Sequence, residues 1–224
     1  MVRRLLLSAP VLMSLFSPSW AEIPDDSLRA YAVNVHRTPL QTWGPGYGIY
    51  LGKGLFITAA HVAGRAWLTR PKVVIGGQEF PTQVLKAGSF EGTDLTLMSV
   101  EEGLLPLRLR LRQTKLCEHA PKSGDQVVTV IPEAAVRSHI IAPERIPIGV
   151  RKFSTAIADV RGTGNSGSGV FDVQRKCLLG IMSRKISQSR TQPGTGKTET
   201  RDIAKYFVPA AEIAAFLPSG LLGK

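Results

Sequence analysis

Downstream of residue 25 the chain breaks into short apolar runs separated by Gly, Pro, Ser and Asp, the pattern of many brief strands joined by turns. The runs 30–35, 47–51, 55–58, 72–75, 94–100, 126–131, 169–173, 177–182 and 204–208 each predict a strand. Helical periodicity emerges only at 210–217, a segment that follows Pro209 and stops at Pro218. Leu107-Arg108-Leu109-Arg110-Leu111-Arg112 alternates with the period of a strand, which predicts leucines on one face and arginines on the other. Residues 187–200, rich in Ser, Thr, Gly and Gln, predict a mobile loop. The fold class expected is all-β with one terminal helix. Strand counting alone does not separate a sandwich from a pair of closed barrels.

The first 21 residues depart from this pattern. Arg3 and Arg4 precede a short apolar run, 5–16, and Ser19-Trp20-Ala21 offers a small-x-small cleavage site, so 1–21 is expected to be a signal peptide and Glu22 the mature start. The run is broken by Pro10 and falls short of the roughly 20 residues that cross a bilayer, so no stable membrane insertion is expected after cleavage. The expected location is periplasmic or secreted. The seam between two units is expected in 113–124, a polar stretch containing Pro121, which gives an N-terminal unit 22–115 and a C-terminal unit 116–224.

Charge and cysteine content change the picture little. The chain carries 28 Lys and Arg against 17 Asp and Glu, and loss of Arg3 and Arg4 with the signal leaves a net charge of +9. The cations are dispersed, so they read as a solvated surface and not as a nucleic-acid site; binding to anionic polymers would rest on charge alone. Cys117 and Cys177 are the only cysteines, and an exported chain meets an oxidising compartment, so a bridge between them is expected. It would stabilise by roughly 4 kcal/mol in the chain-entropy picture. Cys117-Glu118-His119 is not followed by a second ligand pair at zinc spacing, so no metal and no cofactor are expected.

Three segments carry chemistry. A serine hydroxyl needs a histidine to take its proton, an acid to orient that histidine, and backbone N–H groups aimed at the developing oxyanion. Gly164-Asn165-Ser166-Gly167-Ser168-Gly169 places a serine among glycines that permit a tight turn. Thr58-Ala59-Ala60-His61 sets an imidazole just past an apolar run, and Asp94 opens the run 94–100. Singly, each has an ordinary reading: a glycine-serine loop, a structural histidine, a turn aspartate.

Together, Thr58-Ala59-Ala60-His61, Asp94-Leu95-Thr96-Leu97-Met98 and Gly164-Asn165-Ser166-Gly167-Ser168 resemble, in order, the histidine, aspartate and serine boxes of chymotrypsin-like peptidases. Leu179-Gly180-Ile181-Met182-Ser183 is similar to the strand that follows the nucleophile, and with Tyr47-Gly48-Ile49-Tyr50 and the final helix the resemblance spans most of the mature chain. It implies two six-stranded antiparallel β-barrels with an active site between them. It also implies His61 as general base and acid, Asp94 as its orienting partner, Ser166 as nucleophile, and Gly164 with Ser166 as oxyanion hole. Ser183 would support Asp94, and Thr163, Ser183, Arg184 and Lys185 would line the substrate side. The partners implied are protein or peptide substrates.

Departures from the family pattern are specific. Asn165 stands where the animal digestive enzymes have aspartate, so the run resembles instead the bacterial glutamyl endopeptidases and heat-shock proteases. Its neutral amide excludes activation through a salt bridge to a freed N-terminus. Arg184 and Lys185 replace an aromatic residue and glycine; they would either favour an acidic side chain before the scissile bond or point to solvent. Met182 stands where a glutamyl endopeptidase has a pocket histidine. Pro193-Gly194-Thr195-Gly196-Lys197-Thr198 imitates a phosphate-binding loop, but its leading glycine falls at Thr191 and no buried strand precedes it. The competing reading is a binding module of the same fold without catalysis, a class in which one triad member is normally replaced.

Overall fold

The computed structural model describes residues 25–37, 46–150, 155–158, 166–192, 194 and 196–221. The signal-like segment, Thr163, Gly164 and Asn165 lie outside the described residues. Two curled antiparallel sheets make up the fold. The first contains β1 (Ala32–His36), β2 (Gly46–Gly52), β3 (Leu55–Thr58), β4 (Lys72–Ile75), β5 (Gln78–Pro81), β6 (Gln83–Ala87) and β7 (Thr96–Ser99), in the order β5-β4-β1-β2-β3-β7-β6. The second contains β8 (Gln126–Ile131), β9 (Ala134–His139), β10 (Ala156–Ile157), β11 (Gly169–Asp172), β12 (Leu178–Thr191) and β13 (Thr198–Pro209), in the order β10-β13-β12-β11-β8-β9.

The first sheet has seven strands where six were expected, and the reason is local. Edge strands β5 and β6 are consecutive in the chain, divided only by Thr82, whose Oγ1 donates to Pro71 O at 2.5 Å. Counted as one bent strand they make six, and because this segment serves both edges the sheet must curl until those edges approach. Gly76 and Gly77, at φ of 58° and 83°, supply the two-residue turn between β4 and β5 that this path requires.

Among the described residues three apolar clusters hold the sheets. Val33, Val35, Tyr50, Phe56, Val73, Phe80 and Met98 fill the first, and Val127, Ile140, Ile157, Val170, Leu179 and Phe207 fill the second. The third joins them: Ile49, Ile57 and Leu97 of the first sheet pack with Val128, Phe171, Ile181 and Val208 of the second. At roughly 1.5–3 kcal/mol per buried large side chain, this shared cluster fixes one sheet on the other, and the site lies where they meet. Short helices α1 (Ala60–Ala63), α2 (Ala66–Thr69) and α3 (Leu107–Arg110) decorate the first sheet and its exit. Helix α4 (Ala210–Phe216) buries Ala210, Ile213 and Phe216, and Lys86 of β6 donates to its Phe216 carbonyl at 2.8 Å, tying the C-terminal helix to the first sheet. Among the described residues no helix is long and apolar enough to cross a membrane.

Two sequence expectations fail. The Leu-Arg alternation at 107–112 does not form a strand; Leu107–Arg110 is helical, with Leu109 buried and Leu107 and Leu111 exposed. Pro106 accepts from the N–H groups of Leu109 and Arg110, and the helical turn separates Leu109 from its period-two neighbours. The polar stretch 187–200 is not a loop throughout, because β12 and β13 extend as a hairpin to the pair Thr191 and Thr198. Its side chains pair across the strands: Ser189 Oγ lies 2.9 Å from Thr200 Oγ1 and Thr191 Oγ1 3.0 Å from Thr198 Oγ1. Such hydroxyl pairs stabilise a ribbon without an apolar face. Beyond that pair Gln192 N–H donates to Lys197 O at 2.9 Å, and Pro193 and Thr195 of the phosphate-loop imitation lie outside the described residues.

Candidate active site

The register of the first sheet brings His61 and Asp94 together. Thr58 at the end of β3 pairs with Thr96 at the start of β7, so His61, three residues past one, and Asp94, two before the other, leave the same end of an antiparallel pair. Ala59 and Ala60 are buried, and their small side chains let the chain turn into α1 against the sheet. Asp94 precedes β7 instead of opening it, because Leu95 N–H turns back to Thr93 O while Leu95 O accepts from Gly88 N–H.

Ser166 is fastened to both sheets. Tyr47 N–H of β2 donates to its carbonyl at 3.0 Å, and the next residue, Gly167, donates to Met182 O of β12 at 2.8 Å. Gly167 has φ of 88°, and a Cβ there would overlap the Tyr47 carbonyl oxygen, so only glycine lets the turn sit this close to β2.

Hydrogen bonds gather the four residues, with Ser183 engaged through both its backbone carbonyl and its hydroxyl. Ser166 Oγ donates to Ser183 O at 3.1 Å, and Ser183 Oγ donates to Asp94 Oδ2 at 2.6 Å. Asp94 Oδ2 also lies 2.8 Å from His61 Nδ1, while its Oδ1 accepts the His61 backbone N–H at 3.0 Å. Asp94 is 1% exposed. Burial pushes its carboxyl pKa up, but the hydrogen bonds from the His61 ring and Ser183 outweigh this and hold it below the ordinary value. An ionised carboxylate only accepts, so His61 Nδ1 is the donor of this bond, and in a neutral imidazole the lone pair is then on Nε2. Among the described residues no hydrogen bond joins Ser166 to His61; the serine hydroxyl faces Ser183 O.

Phe90, which carried no signal in the sequence, completes the surroundings. Its ring meets the His61 imidazole edge-on with centroids 5.2 Å apart, and Arg184 stacks on it with its guanidinium carbon 3.9 Å from the ring centre. Arg184 also donates to Phe90 O at 2.6 Å, so this cation is held on the ring that meets the imidazole. Lys185 turns to the hairpin and pairs with Asp202 at 2.7 Å. Burial pushes the Tyr206 hydroxyl up to about 12, with Glu212 and Asp94 adding to the rise and Arg184 opposing it, so it stays neutral. Phe90 lies in a polar loop with no periodicity, and only its aromatic character marks it.

Thr163 and Gly164, expected at the substrate side and oxyanion hole, lie outside the described residues. Cys117 and Cys177 form a disulfide. Among the described residues one group of three possible metal donors occurs, Cys117, His119 and Cys177, outside this cluster.

No protein-family model matches the chain, and no curated protein sequence does. Solved structures do. The Rv3671c protease from M. tuberculosis in its active form superposes with a TM-score of 0.57 at 18% identity, covering 97% of this chain and 93% of that one. The MamO protease domain from Magnetospirillum magneticum gives 0.54 at 19%, covering 86% and 98%. The serine endoprotease from Yersinia pestis gives 0.57 at 18%, covering 85% of this chain and 63% of that one.

The chain has the chymotrypsin-like serine protease fold. Within that chymotrypsin-like frame the first sheet supplies His61 and Asp94, and the second supplies Ser166 and Ser183. The Rv3671c protease matches in its inactive form too, with a TM-score of 0.59. The fold therefore leaves activity to be argued from the side chains.

Proposed function

We propose that this chain is an exported serine endopeptidase that cleaves peptide bonds through Ser166, His61 and Asp94. The observation that carries the reading is the hydrogen bonding of Ser166 to the Ser183 carbonyl and of the Ser183 hydroxyl and the His61 ring to Asp94, which gathers residues from three distant segments into one cluster. A buried, ionised carboxylate that fixes the imidazole tautomer is what a histidine base requires.

In the proposed cycle Ser166 Oγ rotates away from the Ser183 carbonyl toward His61 Nε2. As Oγ attacks the substrate carbonyl, its proton passes to Nε2 and the imidazolium that forms is stabilised by Asp94. The N–H groups of Gly164 and Ser166 receive the oxyanion. Collapse of the tetrahedral adduct breaks the C–N bond, and His61 returns the proton to the leaving amine. Water then repeats the sequence on the acyl-enzyme and frees Ser166. Residues 1–21 direct export, and cleavage before Glu22 gives the mature enzyme.

The second reading, a binding module of this fold, draws on the Ser166 hydroxyl bonding to Ser183 O instead of His61. Incubating the mature protein, residues 22–224, with a mixed peptide library separates the two. New termini formed by wild type and absent with Ser166→Ala support the peptidase; intact peptides with a folded wild type favour the binding module.

A further inference from the structure

Cys117-Glu118-His119 lacks a second ligand pair along the sequence, but the fold supplies a third donor from far down the chain. The disulfide spans 60 residues and brings Cys177 to Cys117, and one His119 ring nitrogen and both sulfurs lie within 4.8 Å of one another. Both ends are fixed by backbone. Cys117 N–H donates to Leu178 O at 3.0 Å, and Leu178 N–H donates to Lys115 O at 2.8 Å. On the other side Asp172 N–H donates to Cys177 O at 3.0 Å.

Asp172 completes the grouping. Its Oδ1 accepts the N–H groups of Gln174 and Arg175 at 2.8 and 2.7 Å, which aims Oδ2 at His119 Nε2, 3.3 Å away. Asp172 is 6% exposed, whereas Arg175, whose NH1 donates to the same nitrogen at 3.0 Å and lies 3.6 Å from Asp172 Oδ2, is a largely exposed side chain that must leave this nitrogen before Nε2 can carry a proton toward Asp172. A cavity of about 320 Å³ opens beside His119, Asp172 and Arg175.

We infer that, once the Cys117–Cys177 bridge is reduced, the two sulfurs and the His119 imidazole hold one zinc-class cation at the junction between the inter-sheet segment and β12. Two thiolates and an imidazole suit such an ion, whose ligand atoms stand roughly 3.5 Å apart when bonds are about 2.0–2.3 Å. The reduced sulfurs separate to that spacing and the imidazole closes by about 1 Å. Ligation through Nδ1 leaves Nε2–H on Asp172, the carboxylate behind an imidazole that recurs at zinc sites. A water molecule fills the fourth position.

The balance is simple. A dithiol reductant exchanges with the bridge, is itself oxidised to a cyclic disulfide, and leaves Cys117 and Cys177 as thiols. Metal binding then breaks two S–H bonds, forms two S–metal bonds and releases two protons to solvent. Each sulfur bonds either its partner or the metal, so bridge and ion are alternative fastenings of the same junction.

The test reduces the full mature protein anaerobically with a phosphine, removes the excess phosphine and its oxide by desalting, and titrates the protein with Co²⁺. The expected result is sulfur-to-cobalt charge transfer and the strong ligand-field bands of a tetrahedral ion, saturating at one per chain and reversed by Zn²⁺. The oxidised protein should show neither. In the reduced protein His119→Ala and Cys177→Ser should each weaken binding more than tenfold, and Asp172→Ala roughly tenfold, by analogy with outer carboxylates at other sites. Circular dichroism accompanies every titration. A folded, reduced protein without these bands, bands unchanged in His119→Ala, or a chain that unfolds on reduction and is not refolded by Zn²⁺ would each overturn the inference.

Discussion

Asp94 receives three donors: the His61 backbone N–H on Oδ1, and His61 Nδ1 and Ser183 Oγ on Oδ2. Asp94→Asn preserves the shape but turns one acceptor oxygen into an NH₂ group that can only donate. One end of the amide must therefore face a donor. The backbone N–H cannot turn away, so the amide oxygen takes it, and the NH₂ group meets the imidazole and Ser183. His61 answers by moving its proton to Nε2, where it can no longer accept one from Ser166. The loss expected is about 10⁴-fold in the rate of serine acylation, as for the same change in the best-characterised Ser-His-Asp triad. That is about 5 kcal/mol of barrier, several times a single ordinary hydrogen bond. The second-order rate of reaction with a fluorophosphonate measures it without knowledge of the natural substrate. A folded Asp94→Asn protein that reacts within tenfold of the wild-type rate would refute the tautomer reasoning.

Other consequences are equally specific. Ser183→Ala removes one donor from a buried charge and should cost about 2 kcal/mol in urea unfolding; an unchanged midpoint contradicts the bond. Because the folded Asp94 carboxyl is held below its unfolded value, its contribution to stability is complete above the unfolded carboxylate pKa, about 4, and is lost as pH falls through the folded value. In Ser183→Ala the folded value rises toward the unfolded one, so the acid loss should be smaller and should end at higher pH, read by unfolding midpoints from pH 6 downward. Gly167→Ala puts a Cβ against the Tyr47 carbonyl at φ of 88° and should destabilise by about 2–4 kcal/mol; a neutral change would mean the turn sits elsewhere. Lys185 is neutralised by Asp202, so Lys185→Ala should leave side-chain preference in a peptide panel within about threefold, and a larger shift would place that cation in contact with substrate.

The strands most legible in the sequence are those whose apolar residues run unbroken: 55–58, 72–75 and 126–131 match β3, β4 and β8 end to end. Strands β5, β6 and β9 escaped because most of their positions are exposed or half-buried and carry Gln, Glu, Lys, Arg and Ser, and pairing with a neighbour holds them with few buried side chains, Phe80 of β5 among them. The outer hairpin of β12 and β13 was hidden for the same reason. The alternation at 107–112 misled because a two-residue period has meaning only when a sheet is present to receive one face, and Pro106 starts a helical turn there instead. At the site, His61, Asp94, Ser166 and Ser183 stood out through their order and their resemblance to known boxes. Phe90 and the placement of Arg184 did not, because a stacking contact between residues 94 positions apart depends on how two sheets meet. The same holds for His119 beside Cys177, where spacing along the chain argued against a donor set that folding assembles.

The most direct test is the intact mass of the mature protein after brief exposure to a fluorophosphonate, with the adduct mapped by peptide sequencing. One phosphonyl group per chain is expected, on Ser166, with none in Ser166→Ala and greatly slowed formation in His61→Ala. A folded wild-type protein that stays unmodified, or an adduct on another serine, would contradict the assignment of this cluster as a peptidase active site.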